Sequence, residues 1–164
     1  MNEDDEPNSR STLDDALDWL ARERDAVWTA KLVILRVEPV DDILHFGQCL
    51  REHQTHIVEW ARWAESRGAR LEPATLFEPS FVTGEPHVVG ALAESAAVLA
   101  AMETIEAARV AAYLSPDAMG SMREQGSFGR LLARHLVDAR TRLDWIRHRL
   151  RNINGDALQE AAAQ

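Results

Sequence analysis

The sequence predicts an all-α protein: an antiparallel four-helix bundle with one long crossover between helices 2 and 3. Three observations carry this. Apolar residues recur at steps of three, four and seven along four separate stretches. The stretches are of similar length, about 24–28 residues, or ~36–42 Å at the rise of an α-helix. Their connections run short, long, short, and helices of equal length joined in that way pack side by side with a crossover in the middle.

The first helix is expected over residues 12–37. Thr12-Leu13-Asp14-Asp15 resembles a capping box, apolar residues follow at 13, 16, 17, 20, 27, 34 and 35, and nothing breaks the pattern before Pro39. Residues 1–11 are polar and charged and are expected to form a disordered tail, not a signal peptide. Asp41 or Asp42 is placed to cap the second helix, whose stripe is Ile43, Phe46, Leu50, Ile57, Trp60 and Ala64, and Gly68 to end it as a left-handed C-cap. Residues 68–90 carry Pro73, Pro79, Pro86, Gly68, Gly84 and Gly90, which interrupt every periodic run; this is the expected crossover. The third helix is expected over 89–114. Ten of the 23 residues from Ala91 to Tyr113 are alanine, which favours helix and permits close helix–helix approach. Ser115-Pro116 ends it and opens a loop to Gly126. The fourth helix is expected over 127–153, stopped by Asn154-Gly155, with 154–164 a short tail. The bundle domain is therefore 12–153.

Bulk properties exclude several function classes. The formal charge is −9, without the basic clusters that neutralise phosphates, so no nucleic-acid partner is expected. No apolar run reaches the length of a membrane span, so no membrane partner is expected either. Cys49 is the only cysteine, which excludes an internal disulfide and a cysteine-rich metal site. A cytoplasmic protein is the expectation. Glycine-rich phosphate loops, nucleophile elbows and His-Glu-x-x-His are absent.

The informative residues are ionisable groups on the apolar stripes. Burying a lone charge is costly, so such groups are paired, neutralised or bound to metal. Glu23 lies between Leu20 and Val27 in the first helix. His53 lies between Leu50 and Ile57, and His56 follows three later, so both imidazoles can converge on one point. Glu106 lies among Leu99, Met102, Val110 and Tyr113. The candidate metal ligands are thus Glu23, His53, His56 and Glu106, a mixed N/O set suited to iron, manganese or zinc; no catalytic residue is assigned. Glu103 reads as solvated, His135 and Asp138 on the fourth helix as an i,i+3 pair with ligation the lesser alternative, and His45, His87 and His148 as surface residues. Cys49 reads as a small core residue, and Tyr113 as a hydroxyl that satisfies a carboxylate.

A faint internal repeat is also present. Glu23-Arg-Asp-Ala-Val27 and Glu106-Ala-Ala-Arg-Val110 place Glu and Val identically, and Glu59-Trp60 is matched by Asp144-Trp145. With Glu52-His-Gln-Thr-His56-Ile, Glu106 seven before Tyr113, and Leu143-Asp-Trp-Ile146, these residues give the chain a resemblance to the ferritin-like superfamily, in its rubrerythrin-related branch. The resemblance covers 12–153. It implies an iron or manganese centre held by one Glu, or a Glu-x-x-His pair, from each inner helix, and a role in iron oxidation or oxidative stress. Glu23, Glu106 and His56 match that pattern. His53 stands where a Glu belongs, and Ala139 and Arg142 stand where the fourth helix would supply Glu and His. The expectation is a divergent site, mononuclear or lost. The alternative is a metal-free structural or interaction bundle in which Arg142 bridges Glu23 and Glu106. A homodimer is expected; Trp28 and Trp63 lie at the flank of the stripe and would mark the interface if both are exposed, and the Ala-rich third helix could also serve.

Overall fold

A computed structural model describes residues 6–162 except 93 and 125, with side-chain burial described for 12–153 apart from those two. Among the described residues there are six α-helices and one 3-10 turn, and no strand: α1 (Glu6–Ile34), α2 (Val40–Ser66), α3 (Glu85–Gly90), α4 (Ser95–Tyr113), α5 (Pro116–Arg123) and α6 (Ser127–Ala162), with the 3-10 turn at Pro73–Thr75. The all-α expectation holds. None of the described helices is long and apolar enough to cross a membrane.

The element bounds differ from the sequence expectation where propensity outweighs a local stop signal. Helix α1 begins at Glu6, not at Thr12. Pro7 suits a first turn, where its missing N–H has no intrahelical partner to lose. Residues 6–11, expected in the tail, are therefore helical, and 1–5 lie outside the described residues. Helix α6 runs through Asn154-Gly155 to Ala162. A glycine in a helix costs about 1 kcal/mol relative to alanine, which the formers Ala157 to Ala162 outweigh. The expected loop from Pro116 to Gly126 holds α5, with Ser115 as its N-cap: its hydroxyl accepts from the Ala118 amide at 3.3 Å. Gly129 lets α5 and α6 touch, since a Cβ there would lie 2.0 Å from the Ser121 carbonyl oxygen. The end of α2 follows expectation. Gly68 has φ +92°, its amide bonds to the Glu65 carbonyl and that of Ala69 to the Ala64 carbonyl, a Schellman closure.

The connection from α2 to α4 is fastened along α1. Ser80, Phe81 and Thr83 donate backbone amides to the buried Asp25 carboxylate, at 2.7, 2.6 and 3.0 Å, and the Ser80 and Thr83 hydroxyls add two more bonds. These bonds hold Phe81 at φ +59°, a conformation that costs an L-residue about 1–2 kcal/mol. The Trp28 indole donates to the Phe77 carbonyl, and Arg36 reaches the carbonyls of Gly90 and Leu92. Trp28 is partly exposed and Trp63 is buried, so the two do not form an exposed pair.

Two apolar clusters fill the interior. One gathers Leu20, Val27, Ile57, Trp60, Tyr113, Phe128, Leu132 and Leu136. The other gathers Val33, Phe46, Cys49, Val98, Leu99, Met102 and Ile146. On α2, α4 and α6 the buried polar residues fall between the two: His53 between Cys49 and Ile57, Glu106 between Met102 and Tyr113, Arg142 between Ala139 and Ile146. Pairs between α2 and α6 are Asp42–Arg149, Glu52–Arg142, His56–Asp138, Glu59–His135 and Trp63–Ser127, so numbers fall on α6 as they rise on α2.

Candidate functional site

The polar layer begins with Glu23, set on the inner face of α1 one turn after Leu20. Its Oε2 lies 2.6 Å from His53 Nδ1, and its Oε1 accepts from the Tyr113 hydroxyl at 3.1 Å. His56 Nδ1 stands 3.4 Å from Oε1, close enough for attraction between charges but without a hydrogen-bond partner. On its far side, His56 Nε2 bonds to Asp138 on α6 at 2.9 Å. The helical spacing of 53 and 56 aims both rings at the one carboxylate. Ligand atoms of Glu23, His53 and His56 all lie within 4.8 Å of one another. Three of the four sequence candidates are thus brought together.

Glu106, the fourth, belongs to a different cluster. One oxygen accepts from Arg109 and the other from Arg142 Nε at 3.3 Å. Arg109 also binds Glu85 on α3, and Arg142 NH1 reaches Glu52 at 3.2 Å. Arg142 therefore points inward onto Glu106 as the sequence suggests, but its second partner is Glu52 and not Glu23. Arg109 was not foreseen. Its signal is the i,i+3 spacing after Glu106, which places a cation beside any carboxylate buried there.

Charge states follow from these contacts. Burial alone would raise the Glu23 carboxyl, but His53 and His56 beside it drive it well below the usual range, so it is ionised. Burial, reinforced by the Arg142 charge, pushes His53 down to about 4, and it is neutral. Arginine has donors only, and Arg109 NH1 lies 3.4 Å from His53 Nε2. That nitrogen must accept, so His53 carries its proton on Nδ1 and donates it to Glu23. Burial opposes a charge on His56, yet Glu23 and Asp138 on either side hold its titration above the ordinary value. Burial of Glu106 is outweighed by Arg109 and Arg142, which keep it ionised.

His135 and Asp138 do not pair with each other. His135 stacks on His56 with ring centroids 3.6 Å apart and bonds to Glu59 at 2.8 Å. Burial and the neighbouring His56 lower it to about 4. His45, expected at the surface, is half-buried and stacked on Trp145 at 3.6 Å; His87 and His148 are exposed. Glu103 is held only by Arg147 near the surface. Cys49 is buried and its thiol is pushed up to about 12, so it is inert.

The Glu23–His53–His56 set fits a small divalent ion in two respects. The donors are two imidazoles and one carboxylate, ligands that divalent first-row metals accept, and the His56 nitrogen aimed inward lacks a hydrogen-bond partner while Asp138 fixes the ring from behind. The opposite carboxylate, Glu106, is already engaged on both oxygens by guanidinium groups. A cavity of only about 20 Å³ touches Glu23, Tyr113, Arg109 and Arg142, room for a water-sized molecule. An outer hollow of about 400 Å³ shares Arg22, Thr83, Glu85 and Arg109 with it.

Comparison of the chain with protein-family models, with curated proteins and with solved structures returns no match.

Proposed function

We propose that the chain is a ferritin-like four-helix bundle that binds one divalent first-row metal ion at Glu23, His53 and His56. The helices of the bundle are α1, α2, α4 and α6; α6 runs antiparallel to both α2 and α4, so α2 and α4 are parallel and 67–94 is the crossover that joins them. The reversed order of the α2–α6 pairs and the fastening of 67–94 along α1 support that arrangement.

The single observation that carries the metal reading is the convergence of three buried donor atoms, one of them an imidazole nitrogen with no hydrogen bond. In the layer that a dinuclear centre would use, Arg109 and Arg142 take the place of the second ion, so the stoichiometry is one. Ligation requires His53 to move its proton from Nδ1 to Nε2, against Arg109, which weakens binding relative to a site without that guanidinium. With iron bound, the ion would supply one-electron chemistry toward O₂ or peroxide; Tyr113 would orient Glu23, and Asp138 would hold the His56 ring. A cavity this small limits the reactant to molecules of that size.

The test is elemental analysis after loading with Fe(II), Mn(II) or Zn(II). About one ion per chain is expected, lost in Glu23→Ala and in His56→Ala. Absence of metal under every loading would leave the second reading, a metal-free structural bundle. That reading is favoured by the inward Arg142 and by the bond that His53 already makes to Glu23.

A further inference from the structure

Away from the polar layer, α2 and α6 border a groove of about 470 Å³, within the size range of small-molecule sites. Its residues recur at helical spacing on both walls: Glu59, Arg62 and Trp63 on α2, and Arg130, Leu131 and Arg134 on α6. Trp63 and Leu131 supply the apolar surface. The Trp63 indole is fixed by its bond to the Ser127 hydroxyl at 2.9 Å and packs on Phe128. Arg67 lies over the same indole ring, 4.8 Å from its centroid.

The charge of this groove is opposite to that of the chain. Arginine supplies three of its lining side chains, against one carboxylate, in a protein of formal charge −9. That carboxylate is already occupied: Glu59 accepts from Arg134 at 2.5 Å and from His135 at 2.8 Å. Arg62 is exposed at the rim and has no ion pair or hydrogen bond among the described residues. A fixed apolar floor ringed by guanidinium groups selects a ligand with a flat apolar body and an oxyanion, because guanidinium donors match the geometry of carboxylate, sulfonate or phosphate.

The geometry points to a binding site for a small organic anion in this groove, independent of any metal at Glu23. The apolar body lies against Trp63 and Leu131, and the oxyanion is held by Arg62.

The experiment is a calorimetric titration of the full chain with naphthalene-2-sulfonate, compared with the neutral naphthalene-2-sulfonamide and the cationic 2-naphthylmethylammonium. In parallel, the Trp63 indole N–H is followed by NMR, assigned through Trp63→Phe. Saturable binding of the sulfonate with Kd on the order of 10–100 µM is expected. The sulfonamide should bind about tenfold more weakly, the ammonium more weakly still, and the Trp63 resonance should shift to saturation with the sulfonate. Arg62→Glu should weaken the sulfonate about tenfold, and Arg62→Lys about threefold or less, since the charge is kept. Arg62 is exposed, so neither substitution disturbs folding. Equal binding of the three compounds, a Trp63 resonance that does not move, or an unchanged affinity in Arg62→Glu would overturn the site.

Discussion

The buried polar layer has two halves that balance carboxylate charge by different means. In one, the ionised Glu23 faces two imidazoles and a tyrosine hydroxyl. In the other, the ionised Glu106 faces two guanidinium groups. Both carboxylates are about equally hidden, at 5% and 1% exposure, so burial does not distinguish them. The partners do. Arginine stays charged at any pH a protein meets, and Arg109 and Arg142 are pushed further toward the charged form by Glu106. The Glu106 half is therefore complete by itself. Histidine is charged or neutral according to its surroundings, and its neutral nitrogen can bind a metal. The Glu23 half is conditional: it answers to pH, and it has donor atoms to spare.

Removing a guanidinium gives the largest expected effect. Arg142→Ala leaves Glu106 with one cation in the core and should cost about 3–5 kcal/mol in urea unfolding. Removing the pair together, in Arg142→Met with Glu106→Gln, should return much of that loss. A cost below about 1 kcal/mol for Arg142→Ala would mean that the two halves are not different in kind.

Acid should come next, and it acts mainly on the other half. His53 and His135 titrate near 4 in the folded chain, against 6.5 ordinarily, and so does His45. The unfolded chain therefore binds more protons between those values, and stability is lost as pH falls from about 6.5 toward 4. Glu23 and Glu106 are lowered, so their contribution is present above the usual carboxylate range and is also lost as pH falls. His56 has the opposite sign: its contribution is present below 6.5 and is lost as pH rises through its elevated value. Urea midpoints at pH 4.5, 6 and 7.5 should show a loss on the order of 3 kcal/mol at the acid end. A flat profile would remove the imidazoles from the balance.

Glu23→Gln sharpens the comparison by keeping the shape and deleting the charge. It should abolish metal binding, cost roughly 1–2 kcal/mol, and lower the His56 titration seen by NMR, because one of its two flanking carboxylates is gone. The same change at Glu106 should leave His56 almost unmoved. Tyr113→Phe should have the smallest effect, about 1 kcal/mol or less, through the loss of one hydrogen bond to Glu23.

The helices were legible because their stripes are regular, and the helix-breaking signals were legible where they stand alone, as at Gly68. Signals that compete with strong helix formers misled: Thr12 and Gly155 lie inside helices because neighbours on both sides favour the helix. The site was legible as far as burial could be inferred from position on a stripe. Glu23, His53, His56, Glu106 and Arg142 are all buried, as their spacing requires. Their partners were less so. Asp138 is marked by its place on the fourth helix, but its partner is His56 and not His135; Glu52 flanks the stripe of α2 and Glu85 lies in the connection, so no periodicity marks those two.

The amino-acid sequence by itself determined the all-α character, the helical faces, and which ionisable groups had to be neutralised inside, since 3.6-residue periodicity and the cost of burying charge are local or one-dimensional facts. Only the tertiary structure decided how each charge is matched. Whether Arg142 meets Glu23 or Glu106, whether Glu85 reaches Arg109 across the chain, and whether Asp25 clamps residues 80–83 depend on how helices are rotated and offset against one another. That offset is set by the packing of the two apolar clusters around the layer, and shape complementarity among many side chains is not written in any one stretch of sequence.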